Sequence, residues 1–340
     1  MGGPSRRSLL AAALAAPWRV QAEGLVRETR ELFGSPCQLL APRPVAGALS
    51  CWARLGELNA QWNAWKPGTL GRVNDALRAG RWAEPPADLA ALLRLAQRAE
   101  RDSAGLFNAG LGALVGAWGF HADRLDERPA PAAAWLQRWR AAPPSLALLE
   151  WRAGRVRSTH PALQLDLGGI AKGWALDEAL DTLQRQGVRD ALLDLGGNLA
   201  AFGQGADGPW RIGLRNPFGA GLLATLQTQG REAVVTSGTY ERWRRLPDGR
   251  LATHVLDPAA AQPAQALASV TVVHASAAWA DAAATALLAA GPARWQALAA
   301  RLGLDQVLVV GADGRARAHG RLAQRLTFVD EAVQRDLRIV

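Results

Sequence analysis

Residues 163–173 read LQLDLGGIAKG and residues 192–200 read LLDLGGNLA, so Leu-Asp-Leu-Gly-Gly is written twice, 28 residues apart. The apolar alternation before each Asp predicts a strand over Leu163–Leu167 and another over Ala191–Leu195. Between them, GGIAKGWALDEALDTLQRQG predicts a helix that stops at Gly187. The repeat is therefore one strand-helix-strand unit, and both glycine pairs mark places where the backbone turns tightly or approaches a ligand.

Outward from this unit the chain alternates further elements. A strand with a Gly-Ser-Pro interruption is expected over 25–41. A helix follows over 44–60, with Val45, Leu49, Trp52, Leu55 and Leu58 on one face. Residues 62–74 read as a loop at Pro67-Gly68, and 86–103 as a helix with Leu89, Leu92, Leu93 and Ala96 inward. The Ala/Pro stretch 129–144 reads as a linker or insertion, and 146–159 as a hairpin turning at Ala153-Gly154. TSGTYERW (236–243) reads as a polar loop, THVLDP (253–258) as a strand end, SVTVVHA (269–275) as a strand, and 276–291 as a capped helix stopped by Gly291.

The 340 residues, 49% of them hydrophobic, suffice for a large core. The net charge of +9 comes from arginines scattered among apolar and acidic residues rather than gathered in a run, which argues against nucleic-acid binding. Among the basic residues only Lys66 and Lys172 are lysines.

The N-terminus, SRRSLLAAALAAP (5–17) followed by VQA-E at 20–23, has the pattern of a twin-arginine export signal over residues 1–22. The mature chain from about Glu23 is then expected in the periplasm, where Cys37 and Cys51 either pair or remain buried thiols. No other run approaches the ~18 apolar residues of a membrane span.

Several residues carry possible chemistry. LDLGGIAKG sets backbone N–H groups and Lys172 at a helix N-terminus, suited either to phosphate or simply to a tight turn. Asp281 and Thr285 lie four apart on one helix face and offer hard oxygen ligands for Mg²⁺, unless the Thr hydroxyl only bonds its own helix. His254 near Asp257 is suited to proton transfer or to a structural hydrogen bond. TSGTY is not a G-x-S-x-G nucleophile elbow.

In order, WNAWKPGTLGRVN, GLFNAGLGALVGAWGF, LDLGGIAKGWALD, LLDLGGNLAAFG, PWRIGLRNP, TSGTYERW, HVLDP and SVTVVHASAAWADAAATALL resemble the ApbE family of FAD:protein FMN transferases from about residue 30 to 310. The resemblance implies an α+β fold with mixed and antiparallel sheets and flanking helices, one domain over 23–340. It implies FAD as substrate with Mg²⁺ at its pyrophosphate, and transfer of FMN to a Thr or Ser hydroxyl of an acceptor flavoprotein with release of AMP. That acceptor would belong to a membrane or periplasmic electron-transfer system.

Carried over by motif, Asp166 and Lys172 would contact FAD, and the Gly169 carbonyl would join Asp281 and Thr285 at the metal. Trp65 would pack on the flavin nucleotide, with Leu106, Phe107 and Asn108 lining it and His254-Val255 closing the site. Ser237, Gly238 and Tyr240 would be neighbours. His254, with Asp257, would serve as base, and the second Asp-Leu-Gly-Gly would shape the pocket. FAD hydrolysis to FMN and AMP, or FAD binding without turnover, are the alternative readings. The chain departs from the family at Phe33, where a Met-Gly-Thr motif normally begins, at Asn108, where Asp is common, and at Ala259-Ala260-Ala261, where Arg-Thr-Gly is usual.

Overall fold

A computed structural model describes residues 24–329 and 337–340, so the expected export signal at 1–22 lies outside the described residues. Its centre is a nine-stranded sheet of β1 (Val26–Leu32), β2 (Ser35–Ala41), β3 (Ala191–Leu195), β4 (Asn198–Phe202), β5 (Glu232–Gly238), β6 (Leu267–His274), β7 (Val307–Gly311), β8 (Ala316–Ala318) and β9 (Arg338–Ile339). The strands lie side by side in chain order, antiparallel except for the last pair.

Over the inner strands both faces of the sheet are covered, which is why β3, β4 and β7 are buried at every position, whereas the edge strand β1 is mostly exposed. On one face Leu39, Leu193, Leu195, Val235, Val270 and Val309 join a core with the helices α1 (Ala48–Gln61), α2 (Thr69–Arg78), α3 (Ala87–Asp102), α6 (Ala171–Arg185) and α7 (Ala277–Arg301). On the other face Leu40, Leu192, Val234, Leu308 and Val310 pack against a three-stranded sheet of 211–215, 222–227 and 327–328. A third cluster gathers α4 (Gly112–Ala117), α5 (Ala133–Ala141) and the hairpin of 243–245 with 251–253. The α+β expectation is met.

Several local expectations are corrected. The 25–41 strand is a hairpin turning at Phe33-Gly34, and Leu49 is exposed because it lies off the α1 face that Cys51, Trp52, Leu55 and Leu58 bury. The 62–74 loop ends at Gly68, whose backbone packs on the carbonyls of Ala60 and Gln61, and α2 follows at once. The 129–144 linker contains α5, which buries Leu136 and Trp139. Thr236–Gly238 is the end of β5 rather than loop, because it pairs with Ser269–Thr271 of β6. Cys37 and Cys51 are free buried thiols, and burial pushes both up to about 12, so they stay protonated.

The strand expected over Leu163–Leu167 is also corrected. Among the described residues the segment is extended but joins no sheet, and its contacts to distant backbone are the bridge of Gln164 with Leu111 and the bond from Asp166 N–H to the Ala109 carbonyl. In place of a neighbouring strand, the buried Asn74 donates Nδ2 to the Leu165 carbonyl at 2.9 Å and accepts the Leu165 N–H at 2.7 Å. The strand-helix-strand unit thus has only its second strand in the sheet.

The two glycine pairs differ in physical purpose. Gly196 and Gly197 have φ of 65° and 91° and form the β3–β4 turn, a conformation that L residues resist. Gly168 and Gly169 have ordinary φ and are instead sites of close approach, a Cβ on Gly169 lying 3.0 Å from Thr285 Oγ1. Gly173 is tighter still, since a Cβ there would sit 2.2 Å from the Ala277 carbonyl oxygen, and it sets the α6–α7 contact. Gly173→Ala is therefore expected to cost about 1–3 kcal/mol or more, read as a lower urea midpoint.

Helix α7 is capped twice. Ser276 Oγ accepts the Trp279 N–H, and Asp177 of α6 accepts the Ala277 and Ala278 N–H groups. Its regular first part ends at Gly291, φ 71°, just before Pro292, as the sequence predicts. The caps fix the axial position of Asp281 and Thr285, one and two turns inward.

Candidate active site

The glycine loop, the N-terminal half of α7, the β3–β4 turn and the end of β5 meet at one cavity of about 1710 Å³. Trp65, Leu106, Phe107, Asn108, Asp166 and Lys172 line it. So do Gly169, Ser237, Tyr240, His254, Val255, Asp281 and Thr285. The sequence-predicted residues are therefore brought together, with the exceptions of Gly238 and Asp257.

Asp281 is 3% exposed and accepts Gly173 N–H at 2.9 Å and Asn198 Nδ2 at 3.1 Å. Burial raises its carboxyl above the ordinary range, with Lys172, Gly173 and Asn198 opposing. One turn on, Thr285 Oγ1 lies 3.4 Å from Ser237 Oγ and beside the Gly169 backbone. A desolvated carboxylate, a hydroxyl and a backbone carbonyl are the hard oxygen donors that Mg²⁺ takes, and a cation there would offset the burial of Asp281. These residues fit the ion. Among the described residues no group of three His, Cys, Asp or Glu side chains forms an alternative metal cluster.

Lys172 forms no ion pair within 4 Å among the described residues, yet its field lowers both Asp194 and Asp281. An ammonium left unpaired in a cavity beside backbone N–H groups is suited to a phosphate. Asp194, from the second Asp-Leu-Gly-Gly, accepts Gly197 N–H at 2.7 Å and faces the same cavity. Burial pushes it up to about 6, against the pull of Gly197 N–H and Lys172. The second copy of the motif thus helps line the same cavity as the first.

Asp166 spends both oxygens on protein groups. Oδ1 accepts Gly168 N–H at 2.9 Å, and Oδ2 bonds His121 Nε2 at 2.8 Å. Burial opposes its ionisation, but His121, Gly168 N–H and Arg242 outweigh burial and hold the carboxyl below its usual range. The His121 ring in turn stacks on Trp65, with centroids 5.1 Å apart, and the Arg242 guanidinium lies 5.9 Å from the Trp65 ring centroid. Arg242 is itself fixed by the Phe120 and Ala122 carbonyls on either side of His121.

Sequence reasoning missed His121. The signal available was a lone histidine directly after the WGF of residues 118–120. His121→Phe keeps a ring against Trp65 but removes the bond to Asp166. The expected outcome is a melting temperature several degrees lower, the scale of a lost charge-assisted hydrogen bond.

His254 Nδ1 lies 3.2 Å from the Arg242 carbonyl, so Nδ1 carries the proton and Nε2 keeps its lone pair. Burial lowers its pKa to about 4, helped by the charges of Arg242 and Lys172, and the ring is neutral near pH 7. Asp257 does not assist it. Its Oδ1 accepts the Ala259 and Ala260 N–H groups and Oδ2 pairs with Arg294 at 3.3 Å. Asn108 accepts Gly110 N–H within its own loop and donates to the Pro144 carbonyl of the distant segment before Leu146. The turn after Asp257 closes with Ala261 at φ 52°, where the family's usual glycine would be unstrained.

The sequence pattern of the ApbE family matches residues 33–308. The chain belongs to the ApbE family. It is 37% identical over 320 residues to an FAD:protein FMN transferase of Rhodobacter capsulatus, across 93% of this chain and 61% of that protein. A Treponema pallidum protein of the same name is 33% identical over 260 residues, covering 71% of this chain and 70% of its own length. The chain thus spans about three fifths of the Rhodobacter relative.

Among solved structures, the ApbE protein of Thermotoga maritima superposes with a TM-score of 0.81 at 22% identity, over 88% of this chain and 99% of that one. The apo flavinyl transferase ApbE of Pseudomonas stutzeri gives 0.75 at 29% identity, over 88% and 96%. The ApbE fold is thereby established, and in this chain Trp65, Lys172, His254 and Asp281 line the cavity described above.

Proposed function

We propose that this ApbE-family chain transfers FMN from FAD to a Thr or Ser hydroxyl of an acceptor flavoprotein and releases AMP. The observation that carries the reading is the convergence of Lys172, the 166–172 loop and the Asp281–Thr285 helix face on a cavity that also presents Trp65 and His254. The names of the Rhodobacter, Treponema and Pseudomonas relatives support the same activity.

In the proposed reaction the acceptor oxygen forms a new bond to the FMN-side phosphorus. The phosphorus–oxygen bond to AMP breaks, AMP leaves with that electron pair, and the hydroxyl proton passes to Nε2 of His254. Lys172 holds the pyrophosphate, and Trp65 orients the flavin. Mg²⁺, held by Asp281, Thr285 and the Gly169 carbonyl, would neutralise charge on the pyrophosphate. The export pattern at residues 5–23 supports a periplasmic site of action and an acceptor in a membrane or periplasmic electron-transfer system.

AMP release separates the activities. With FAD and Mg²⁺, release that depends on an acceptor domain with its target hydroxyl intact is the expected result. Release independent of the acceptor would make the chain an FAD pyrophosphatase, and FAD bound without any AMP would make it a binding protein.

A further inference from the structure

Strand β2 turns Gln38 to the same sheet face as Leu40, which packs in the second core. Gln38 is 8% exposed and lines the cavity, and its side-chain amide makes no hydrogen bond among the described residues. An amide buried without a partner is destabilising, and the cost is recovered when a ligand supplies the missing bonds.

Asp194 of β3 is the direct cross-strand partner of Gln38. Residues so paired hold their Cβ atoms about 4.5–5.5 Å apart. Asp194 is 7% exposed; its Oδ1 accepts Gly197 N–H, and its Oδ2 has no hydrogen bond among the described residues. A buried amide and a buried carboxylate oxygen, both unpartnered, thus border one cavity side by side.

The chemistry of the pair selects the edge of the ligand that reaches it. Glu241 also lines the cavity, with Oε1 4.0 Å from a Cβ built on Gly197, so two carboxylates border this region. They repel a phosphate, and equally the two carbonyl oxygens on the pyrimidine ring of a flavin. What they accept is an amine. Adenine carries a 6-amino group with two N–H donors beside ring nitrogens that accept, and a side-chain amide matches that edge as a bidentate pair. Lys172, whose charge lowers Asp194, is near enough for the pyrophosphate of the same FAD to sit beside it. Leu25, Leu199 and Trp210 also line the cavity and belong to or pack on the second core, which supplies apolar contact for a flat base.

We propose that Gln38 and Asp194 read the adenine of FAD: the Gln38 amide accepts one N–H of the 6-amino group and donates to a ring nitrogen, while Asp194 Oδ2 accepts the other N–H. They set specificity and take no part in the chemical step. The assignment rests on the FAD reading above.

The test is a fluorescence titration of the full chain, with Mg²⁺, against FAD, its hypoxanthine analogue (the 6-amino group replaced by a carbonyl) and FMN. The wild-type chain is expected to bind FAD at least about tenfold more tightly than the analogue. Gln38→Met keeps the length of the side chain and removes the amide, so FAD should bind about tenfold more weakly and FMN as before. Asp194→Asn keeps an oxygen for Gly197 N–H and turns an NH₂ group toward the base, so the preference should shift toward the analogue. Without ligand, Gln38→Met is expected to melt no lower than the wild type, because the amide it removes has no partner to lose.

Equal wild-type affinity for FAD and the analogue, normal FAD binding by Gln38→Met, or an unshifted preference in Asp194→Asn overturns the assignment and leaves the transferase reading intact. A melting temperature several degrees lower in ligand-free Gln38→Met also overturns it, since the amide would then serve the fold. No FAD binding by the wild-type chain overturns the transferase reading itself.

Discussion

Asp281→Asn is expected to lower FMN transfer about 10³-fold, the several kcal/mol that a bound cation supplies at a phosphate, converted at 1.36 kcal/mol per tenfold. The amide keeps the shape of the side chain and an oxygen for Gly173 N–H, whose bond to Asp281 is 2.9 Å. What it loses is the charge, together with the acceptor for Asn198 Nδ2, on a residue 3% exposed and desolvated beside Thr285 and Gly169. The second readout is thermal stability without FAD. Mg²⁺ should raise the wild-type melting temperature by mass action and leave the Asn variant unmoved. A normal Mg²⁺ shift in Asp281→Asn would remove the residue from the metal site.

His254→Gln is expected to slow transfer about 10²- to 10⁴-fold, the usual contribution of a positioned general base. Because burial lowers the His254 pKa to about 4, the neutral, proton-accepting ring dominates above that pH. The wild-type rate should therefore rise with pH through about 4 and level off, and the Gln variant should lack that limb.

Stability carries the same signature. The unfolded chain binds a proton at His254 near its ordinary value of 6.5, while the folded chain does so only near 4. Between these values the unfolded state holds more protons, so stability is present above 6.5 and is lost as pH falls toward 4. Urea midpoints measured across that window should decline less for His254→Gln. An equal decline in both proteins would show that His254 is not buried as described.

How much of this was legible follows from which forces act locally. The doubled Asp-Leu-Gly-Gly marked one turn and one close approach because glycine reports backbone demands directly, and Asp281 with Thr285 was legible because helical spacing alone puts i and i+4 on one face. The 163–167 strand was misread because its partner is the side chain of Asn74, 91 residues away, which no periodicity announces. Pro67-Gly68 looked like loop and is a helix boundary, since the close backbone of Gly68 against Ala60 and Gln61 is a tertiary fact. His121 carries no spacing signal, and its importance arises only when folding sets it between Asp166 and Trp65. The role of Asp257 was misjudged for the converse reason. It is three residues from His254 in sequence, but its carboxylate turns back to cap its own loop.

The central claim is that one cavity grips FAD through Lys172 and Asp281 so that a polypeptide hydroxyl can take the FMN. The most direct measurement is the intact mass of an acceptor flavoprotein domain incubated with the chain, FAD and Mg²⁺, beside the same mixture made with Asp281→Asn. The account predicts a gain of one FMN, AMP in equal amount, and neither product with the variant. An unmodified acceptor with free FMN in solution, or an equal gain with the variant, would contradict it.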